Sequence, residues 1–380
     1  MQFRSINPFT GQIIGTYTSH DQNDADQIIN LVYGEFMNWK SQSIIYRAKL
    51  LRSVADILLG NIDYYSASIT LEMGKVIRES RAEVEKCARC CMYYSDNAGK
   101  MLHNEPLVVS HGNAYIRQEP LGVILAVMPW NFPFWQVFRF AAPALMAGNT
   151  CLLKHASNVP RCAMDIEQIF IKAGYPANAF RTLLISSGQV EHVIDHPKVA
   201  AVTLTGSELA GSQVASAAGR NLKKSVLELG GSDPFIVLED ADIEKAAETA
   251  VKARMINTGQ SCIAAKRFII QKSVANNFTK RFIECLSGMQ YGDPMQTETD
   301  YGTLARPDLA REIAVQVRNS IDKGARVLYG KLPETIDSAY FPPMILTDLK
   351  PGMPANDEEI FGPVACFYFV ETAQEAVEVS

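Results

Sequence analysis

The stretch Gly122-Val123-Ile124-Leu125-Ala126-Val127-Met128 is apolar over nearly its whole length and decides the fold class. Such a run is typical of a strand buried on both faces in a parallel sheet. Similar runs follow at residues 150–154, 181–185 and 200–205. Helical stretches separate them, notably at residues 159–173 and 209–218. Strands that alternate with helices in this way predict an α/β protein with a doubly wound parallel sheet.

The rest of the chain predicts a second lobe and a hairpin. A new series of alternating elements begins near Pro234, with strands expected at residues 235–238 and 266–271. Residues 21–101 have helical periodicity, with charged faces around apolar positions. Residues 104–117 read instead as a β-hairpin around a Gly-Asn turn. We therefore expect two α/β lobes, with the chain passing from one to the other near residues 228–232.

Composition excludes several classes of protein. The 380 residues exceed the usual size of a single core, which favours two or more domains. The formal net charge is −5, whereas proteins that bind nucleic acid or anionic membranes usually carry an excess of positive charge. Neither is therefore an expected partner. The N-terminus lacks an apolar run of signal-peptide length, and prolines interrupt the most apolar region, residues 121–153. These features predict a cytoplasmic protein.

Two residues in glycine-bearing contexts suggest chemistry. Cys262 ends the stretch Asn257-Thr258-Gly259-Gln260-Ser261-Cys262, and Glu228 begins the stretch Glu228-Leu229-Gly230-Gly231-Ser232. A thiol attacks well only as the thiolate, so a catalytic cysteine needs a site that favours the anion. A nearby carboxylate can activate the water that releases an acyl group from sulfur. The pair therefore indicates nucleophilic catalysis. No metal site is predicted, because Cys87 and Cys90 form a C-x-x-C without a second pair.

Three further positions have both a functional and a structural interpretation. Gly206 follows a predicted strand and precedes a helix start, where backbone N–H groups can bind phosphate, although a plain strand-to-helix turn fits equally well. Lys154 ends another strand, where it could contact a ribose or phosphate or simply be solvated. Asn131 lies between Pro129 and Pro133, a setting that suits an oxyanion donor or a turn-forming residue.

Taken in order, these segments resemble the aldehyde dehydrogenase family. The resemblance runs from Ile6-Asn7-Pro8 to Glu358-Glu359-Ile360-Phe361-Gly362-Pro363 and thus covers nearly the whole chain. Its most specific motifs are residues 227–234 and 258–262. Within the family, residues 154–156, 229–238 and 264–270 are most similar to bacterial succinate-semialdehyde dehydrogenases of the Sad type. The resemblance implies the aldehyde dehydrogenase fold, with two doubly wound lobes and a small oligomerisation hairpin.

The resemblance also implies a role for each matching residue. Cys262 would attack the aldehyde carbon to give a thiohemiacetal, whose oxyanion the Asn131 side chain and the Cys262 backbone N–H would hold. After hydride transfer, Glu228 would activate the water that hydrolyses the thioester. The remaining implied contacts are with NAD or NADP: Lys154 with the adenosine ribose, Gly206 and Ser207 with the pyrophosphate, Glu359 and Phe361 with the nicotinamide ribose and ring, and Trp130 near the cofactor.

The choice of nucleotide depends on Ser157. Many strict NAD users of this family carry a glutamate three residues after the lysine, and this chain has Ser157 there. A serine lacks the negative charge that would repel a 2′-phosphate, so we expect NADP to be tolerated alongside NAD.

The choice of aldehyde depends on Arg139. Many succinate-semialdehyde dehydrogenases carry an arginine at this position that binds the substrate carboxylate, and a guanidinium can do so bidentately. Many carry a second arginine six residues before the cysteine, where this chain has Ile256. Arg254 could compensate, but we expect it to have a surface or structural role.

The resemblance implies a domain arrangement and leaves two alternatives. Residues 1–103 and 119–228 would form the NAD(P)-binding domain, residues 104–118 the oligomerisation hairpin, and residues 229–380 a catalytic domain that is incomplete at its C-terminus. Assembly into a homodimer or homotetramer would need the further C-terminal segment. One alternative is a catalytically incompetent subunit that binds nucleotide or a full-length relative. The other is a CoA-acylating enzyme, which the presence of Glu228 argues against.

Overall fold

The structure is a computed structural model that describes residues 2–380. By their internal contacts these residues divide into two compact units. The first comprises residues 2–6, 13–72 and 80–229, and the second comprises residues 7–12, 73–79 and 230–380. The chain passes from the first unit to the second after Leu229, and the second unit also contains the short segments 7–12 and 73–79.

The first unit contains nine strands and eight α-helices among its described residues. In chain order they are β1 (Gln2–Ile6), β2 (Ile13–Thr18), α1 (Gln22–Trp39), α2 (Ile44–Gly60), α3 (Ile62–Met73), α4 (Ile77–Met101), β3 (Glu105–Leu107), β4 (Ala114–Ile116), β5 (Val123–Met128), α5 (Trp135–Met146), β6 (Thr150–His155), α6 (Pro160–Lys172), β7 (Phe180–Thr182), α7 (Val190–Asp195), β8 (Val199–Thr205), α8 (Glu208–Arg220) and β9 (Lys224–Glu228).

The main sheet of this unit has the strand order β7-β6-β5-β8-β9, and every pair is parallel. The first strand of the series, β5, therefore lies at the centre, and the chain winds outward from it in both directions. This confirms the predicted doubly wound sheet. In such sheets ligands bind beyond the carboxyl ends of the strands where the winding reverses. Here that point lies between β5 and β8.

Apolar side chains on one face of this sheet pack against α1, α7 and α8. Leu125, Leu152 and Leu204 from three neighbouring strands are buried there beside Ile29 and Val214 from the helices. These strands are buried on both faces, which explains why they are continuous apolar runs in the sequence.

The helical region predicted at residues 21–101 contains four helices, α1 to α4. One predicted strand ends earlier in the structure than expected. The strand expected at residues 181–185 is β7, which ends at Thr182. Leu183 and Ile185 are nevertheless buried in the core, so the apolar run marks burial that continues after the sheet pairing has ended. The predicted hairpin is present, with β3 and β4 paired antiparallel, and its role in assembly remains a prediction.

The second unit contains a sheet of five strands. Its elements are β10 (Pro234–Val237), α9 (Ile243–Met255), β11 (Arg267–Gln271), α10 (Lys272–Ser287), α11 (Pro307–Asp322), β12 (Arg326–Tyr329), β13 (Met344–Thr347), α12 (Pro354–Asp357), β14 (Val364–Val370) and α13 (Ala373–Val379). The strand order is β10-β11-β14-β13-β12, with only β12 antiparallel. An aromatic cluster of Phe268, Phe278, Phe282 and Phe367 fills one face of this sheet.

Two buried glutamates connect helices of the first unit to one another. Glu72 on α3 accepts hydrogen bonds from the backbone N–H groups of Arg161 and Cys162, at the start of α6. Glu83 on α4 does the same for Phe134 and Trp135, at the start of α5. The first N–H groups of a helix have no partner within the helix, and a carboxylate there also interacts favourably with the helix dipole. These contacts therefore position α5 and α6 from outside the sheet.

Burial of Glu72 predicts a pH-dependent stability. Desolvation raises the pKa of Glu72 from 4.5 to about 7, while hydrogen bonds from the backbone N–H groups of Cys162 and Arg161 oppose the shift. The folded protein therefore binds this proton more tightly than the unfolded chain, so stability is lost as the pH rises from about 4.5 to about 7. We expect the free energy of unfolding of wild type relative to Glu72→Gln to fall by up to about 3 kcal/mol over this range.

Urea unfolding followed by circular dichroism at pH 5 and pH 8 measures this difference. The exposed Asp56→Asn, on α2 of the same unit, is the matched control. A wild-type advantage over Glu72→Gln that grows with rising pH would contradict the assignment of the proton to Glu72.

Candidate active site

The residues that the sequence singled out lie in both units. The first unit contains Trp130, Asn131, Arg139, Lys154, Ser157, Gly206, Ser207 and Glu228, and the second contains Cys262, Glu359 and Phe361. Each group is described within its own unit.

Asn131 lies on the loop that follows β5, at the point where the winding of the sheet reverses. The residue is 4% exposed. The loop is held from two sides, because Glu83 accepts from the N–H groups of Phe134 and Trp135 while buried His155 binds the carbonyl of Pro133 at 2.8 Å. Burial lowers the pKa of His155 to about 4, so its ring is neutral at pH 7. Nδ1 of His155 accepts from the N–H of Ala156, which leaves Nε2 as the donor to Pro133.

The turn after β8 leads directly into α8. Ser207 caps α8, and its hydroxyl accepts from the N–H of Ala210. The Gly206 N–H donates to the carbonyl of Glu228 at 3.0 Å. A Cβ placed on Gly206 would meet no atom of the surroundings closer than 3.6 Å. Packing within the chain therefore does not account for the glycine.

A cavity of about 630 Å³ lies beside this turn. Lys154 contributes to its wall from the end of β6, and burial lowers the pKa of this lysine. The other lining residues come from β5, β8, α7, α8 and the short turn before α7, and include Val127, Ser187, Gly188, Leu204, Ser212, Gln213 and Arg220. The lining contains both apolar and polar side chains. Ser157 is exposed on the turn that follows β6.

Arg139 and Glu228 contact each other in the first unit. Nη2 of Arg139, on α5, lies 3.5 Å from Oε2 of Glu228 at the end of β9. The same nitrogen donates to the hydroxyl of Thr205 at 3.0 Å. All three residues line a second cavity of about 490 Å³, whose wall is otherwise largely apolar, with Leu121, Ile124, Phe140, Pro143 and Val226 among its members.

In the second unit the segment before Cys262 has an unusual backbone. Asn257, Thr258 and Gly259 follow α9 with φ angles of 53°, 54° and 78°. A β-branched residue such as Thr258 rarely adopts this left-handed region, and such strain persists only where the surroundings impose it. Oε2 of Glu79 accepts from the Asn257 N–H at 2.8 Å, and Oε1 of Gln260 accepts from the Ala305 N–H at 2.9 Å. Cys262 follows this segment and is half-buried.

Arg254 is buried and binds the backbone of this segment. It is 1% exposed, and its Nη2 donates to the carbonyl of Gly259 at 2.6 Å. Burial lowers the pKa of Arg254 to about 10, so the guanidinium remains charged at pH 7. The expected structural role agrees with this position, whereas a surface role does not.

Glu359 is held by Lys266 in the second unit. Nζ of Lys266 lies 3.0 Å from Oε1 of Glu359 and also donates to the carbonyl of Cys262 at 2.8 Å. The lysine side chain is only 3% exposed. Oε2 of Glu359 lies against Gly230, where any side chain would overlap it. Glu359 and Phe361 both line a cavity of about 590 Å³. This lysine thus connects the carboxylate to the segment that bears the cysteine.

Sequence reasoning missed Thr205, Lys266 and Glu79. Thr205 is the last residue of β8, at the carboxyl end of a parallel strand, where functional side chains are commonly presented. That rule could have identified Thr205. Lys266 precedes β11, at the amino end of the strand, so the same rule does not identify it. Glu79 provided no signal, because its partner Asn257 is far away in the sequence.

The described residues, 2–380, were searched for membrane-spanning helices and for metal sites. No helix of this part of the chain is long and apolar enough to cross a membrane. The same residues contain no group of three or more His, Cys, Asp or Glu side chains that could hold a metal ion.

The fold and the cysteine-bearing segment define an α/β enzyme of the aldehyde dehydrogenase class. A model of the aldehyde dehydrogenase family matches residues 1–380, and the chain belongs to this family.

The chain is similar to succinate-semialdehyde dehydrogenases within this family. The chain is 48% identical over 380 residues to a probable NADP(+) succinate-semialdehyde dehydrogenase of Synechocystis sp., covering 100% of this chain and 84% of the relative. It is 45% identical over 384 residues to the NADP(+) succinate-semialdehyde dehydrogenase of Mycobacterium avium, covering 100% and 81%. Among solved structures, the succinic semialdehyde dehydrogenase of Streptococcus pyogenes in complex with NADP+ matches with a TM-score of 0.96 at 35% identity, covering 99% and 83%.

The strained segment before Cys262 predicts the effect of Gly259→Ala. The new Cβ would overlap the backbone of Gly362, at a positive φ that alanine rarely adopts. We expect the free energy of unfolding to fall by more than about 3 kcal/mol, since neither backbone can yield easily. Chemical denaturation measures the loss.

Gly219→Ala is the control, because this helical glycine has open space at its Cβ and the substitution should stabilise by about 0.5–1 kcal/mol. If Gly259→Ala were as stable as wild type, the backbone described here for the cysteine segment would be wrong.

Proposed function

We propose that this chain oxidises succinic semialdehyde to succinate with NADP or NAD, through a thioester on Cys262 that is hydrolysed with Glu228 as base. The observation that carries the choice of substrate is Arg139, a guanidinium on the wall of a largely apolar cavity. A carboxylate that enters such a cavity needs a fixed positive partner to offset its desolvation. The names of the relatives agree with this substrate.

Residues of the first unit fit a dinucleotide. The turn at Gly206 and Ser207 presents the N-terminus of α8, whose N–H groups suit a pyrophosphate. Lys154 lines the adjoining cavity, which has room for an adenosine. Trp130 would lie near the cofactor, and Glu359 and Phe361 of the second unit would contact the nicotinamide ribose and ring. When bound, the nicotinamide supplies the acceptor for the hydride that leaves the aldehyde carbon.

The chain's own residues would perform the remaining chemistry. The Cys262 thiolate forms a bond to the aldehyde carbon, and the carbonyl oxygen becomes an oxyanion held by the Asn131 amide and the Cys262 N–H. When the carbon gives up its hydride, the oxyanion re-forms a carbonyl and leaves a thioester. Glu228 then takes a proton from water as the water oxygen attacks the acyl carbon. The carbon–sulfur bond breaks, its electron pair returns to Cys262, and the acid is released.

A comparison of substrates tests this proposal. Initial rates at 340 nm with succinic semialdehyde, glutaric semialdehyde and butanal, each with both nucleotides, should give the highest kcat/KM for succinic semialdehyde. Cys262→Ser should lose at least about a thousandfold in kcat, because the hydroxyl is a far weaker nucleophile, and should still bind nucleotide.

Three outcomes would contradict the proposal. Nucleotide binding without any reduction would favour the incompetent subunit. Formation of an acyl-CoA in the presence of CoA, with no free succinate in its absence, would favour the CoA-acylating enzyme. Normal turnover of Cys262→Ser would remove Cys262 as the nucleophile.

Ser157 supplies a separate prediction about the nucleotide. Ser157→Glu places a negative charge on the exposed turn after β6, where it would repel a 2′-phosphate. We expect the KM for NADP to rise about tenfold or more, with that for NAD unchanged or lower. Ser157→Gln is the control of similar size without charge. Equal effects of the two variants on the KM for NADP would show that charge at this position does not select the nucleotide.

A further inference from the structure

The contact between Arg139 and Glu228 joins two residues that the proposed function uses separately. Arg139 is assigned to the substrate carboxylate, and Glu228 is assigned to water. In the structure Nη2 of Arg139 lies 3.5 Å from Oε2 of Glu228, and the cavity beside them is lined by both. Because Oε2 faces the guanidinium, the carboxylate is a weaker proton acceptor than it would be without this partner. The base is therefore held by the group that should bind the substrate.

Thr205 determines which partner can move. Its hydroxyl accepts from Arg139 at 3.0 Å, and Thr205 belongs to a strand that is paired on both sides. The Arg139 side chain is 29% exposed, whereas that of Glu228 is 57% exposed at the end of the edge strand β9. The guanidinium is thus anchored and the carboxylate is the freer group. A competing anion would displace Glu228 and leave Arg139 in place.

The cavity wall makes such an exchange selective. A guanidinium beside a largely apolar wall costs free energy when it is left without an anion. Replacing Glu228 by a substrate carboxylate keeps the guanidinium paired throughout, so the exchange itself is close to balanced. A neutral aldehyde offers no replacement and leaves Glu228 where it is.

We propose that the substrate's own carboxylate displaces Glu228 from Arg139 and thereby releases the base for thioester hydrolysis. This inference rests on the proposed function for the identity of the base. In the hydrolysis, the water oxygen bonds to the acyl carbon, one water proton passes to Glu228, and the Cys262 thiolate leaves from carbon. The second water proton goes to solvent when the product acid ionises. Arg139 acts here as a positioning residue for Glu228 as well as a substrate ligand.

Pre-steady-state kinetics on the full chain tests the proposal by separating acylation from hydrolysis. Acylation reduces the nucleotide in a burst at 340 nm, and hydrolysis then sets the steady rate. We compare succinic semialdehyde with 4-methylpentanal, in which an isopropyl group replaces the carboxylate. The neutral aldehyde should show a burst followed by hydrolysis that is about fivefold or more slower than for the succinyl thioester.

Chemical rescue identifies the anion as the cause. Acetaldehyde and acetate together approximate succinic semialdehyde divided at its central bond. Added acetate should accelerate hydrolysis of the acetyl thioester about fivefold, whereas equal ionic strength from chloride should not. Arg139→Met should speed hydrolysis after neutral aldehydes, abolish the acetate effect and raise the KM for succinic semialdehyde. The control Arg181→Met, which breaks the 3.3 Å pair of Arg181 with Glu167 in the same unit, should change none of these rates.

The outcomes separate this inference from the substrate assignment. Equal hydrolysis rates for the neutral and charged acyl groups in wild type, or no gain in Arg139→Met, would overturn the release of Glu228 while leaving the substrate assignment intact. If succinic semialdehyde is not oxidised but acetate still accelerates hydrolysis after another aldehyde, the substrate assignment fails and the release of Glu228 stands.

Discussion

The parallel pairing of β5 with β8 is the constraint on which the first unit depends. Because these two strands are neighbours and the chain winds outward from them in opposite directions, the loops after both strands open at the same edge. Asn131 follows β5, and Gly206 and Ser207 follow β8. A sheet with another strand order would separate these residues, whatever their identity. The buried carboxylates Glu72 and Glu83 then hold α6 and α5 in position.

In the first unit the order of the strands positions the candidate site residues. In the second unit a strained backbone segment positions Cys262. The left-handed backbone of residues 257–259 is sustained by hydrogen bonds to Glu79 and Arg254, which lie outside the segment. The next residue, Gln260, accepts a further hydrogen bond from the Ala305 N–H. Strain that is balanced in this way positions Cys262 without using the cysteine side chain itself. Lys266 adds a connection from the Cys262 carbonyl to Glu359. The cysteine segment and Glu359 are therefore parts of one network.

Prediction from the sequence succeeded where a residue's role follows from its local pattern. The strands β5, β6 and β8 were recognisable because burial on both faces makes them continuously apolar. The start of α8 was recognisable because Gly206 follows an apolar strand and precedes a helical stretch. The end of β7 at Thr182 could not be recognised from the sequence, because Leu183 and Ile185 are buried without being paired in the sheet.

The sequence by itself determined the class of fold and, through motifs that resemble one family, the candidate nucleophile, base and oxyanion donor. Only the tertiary structure decided how those residues are held. Arg139 contacts Glu228, Glu79 binds Asn257 and Lys266 binds Glu359 across long separations in the sequence. Local patterns cannot encode such pairs, because a side chain's partners depend on which strands and helices the fold makes neighbours. The ion pair of Arg139 with Glu228 arises in this way, from the positions of α5 and β9.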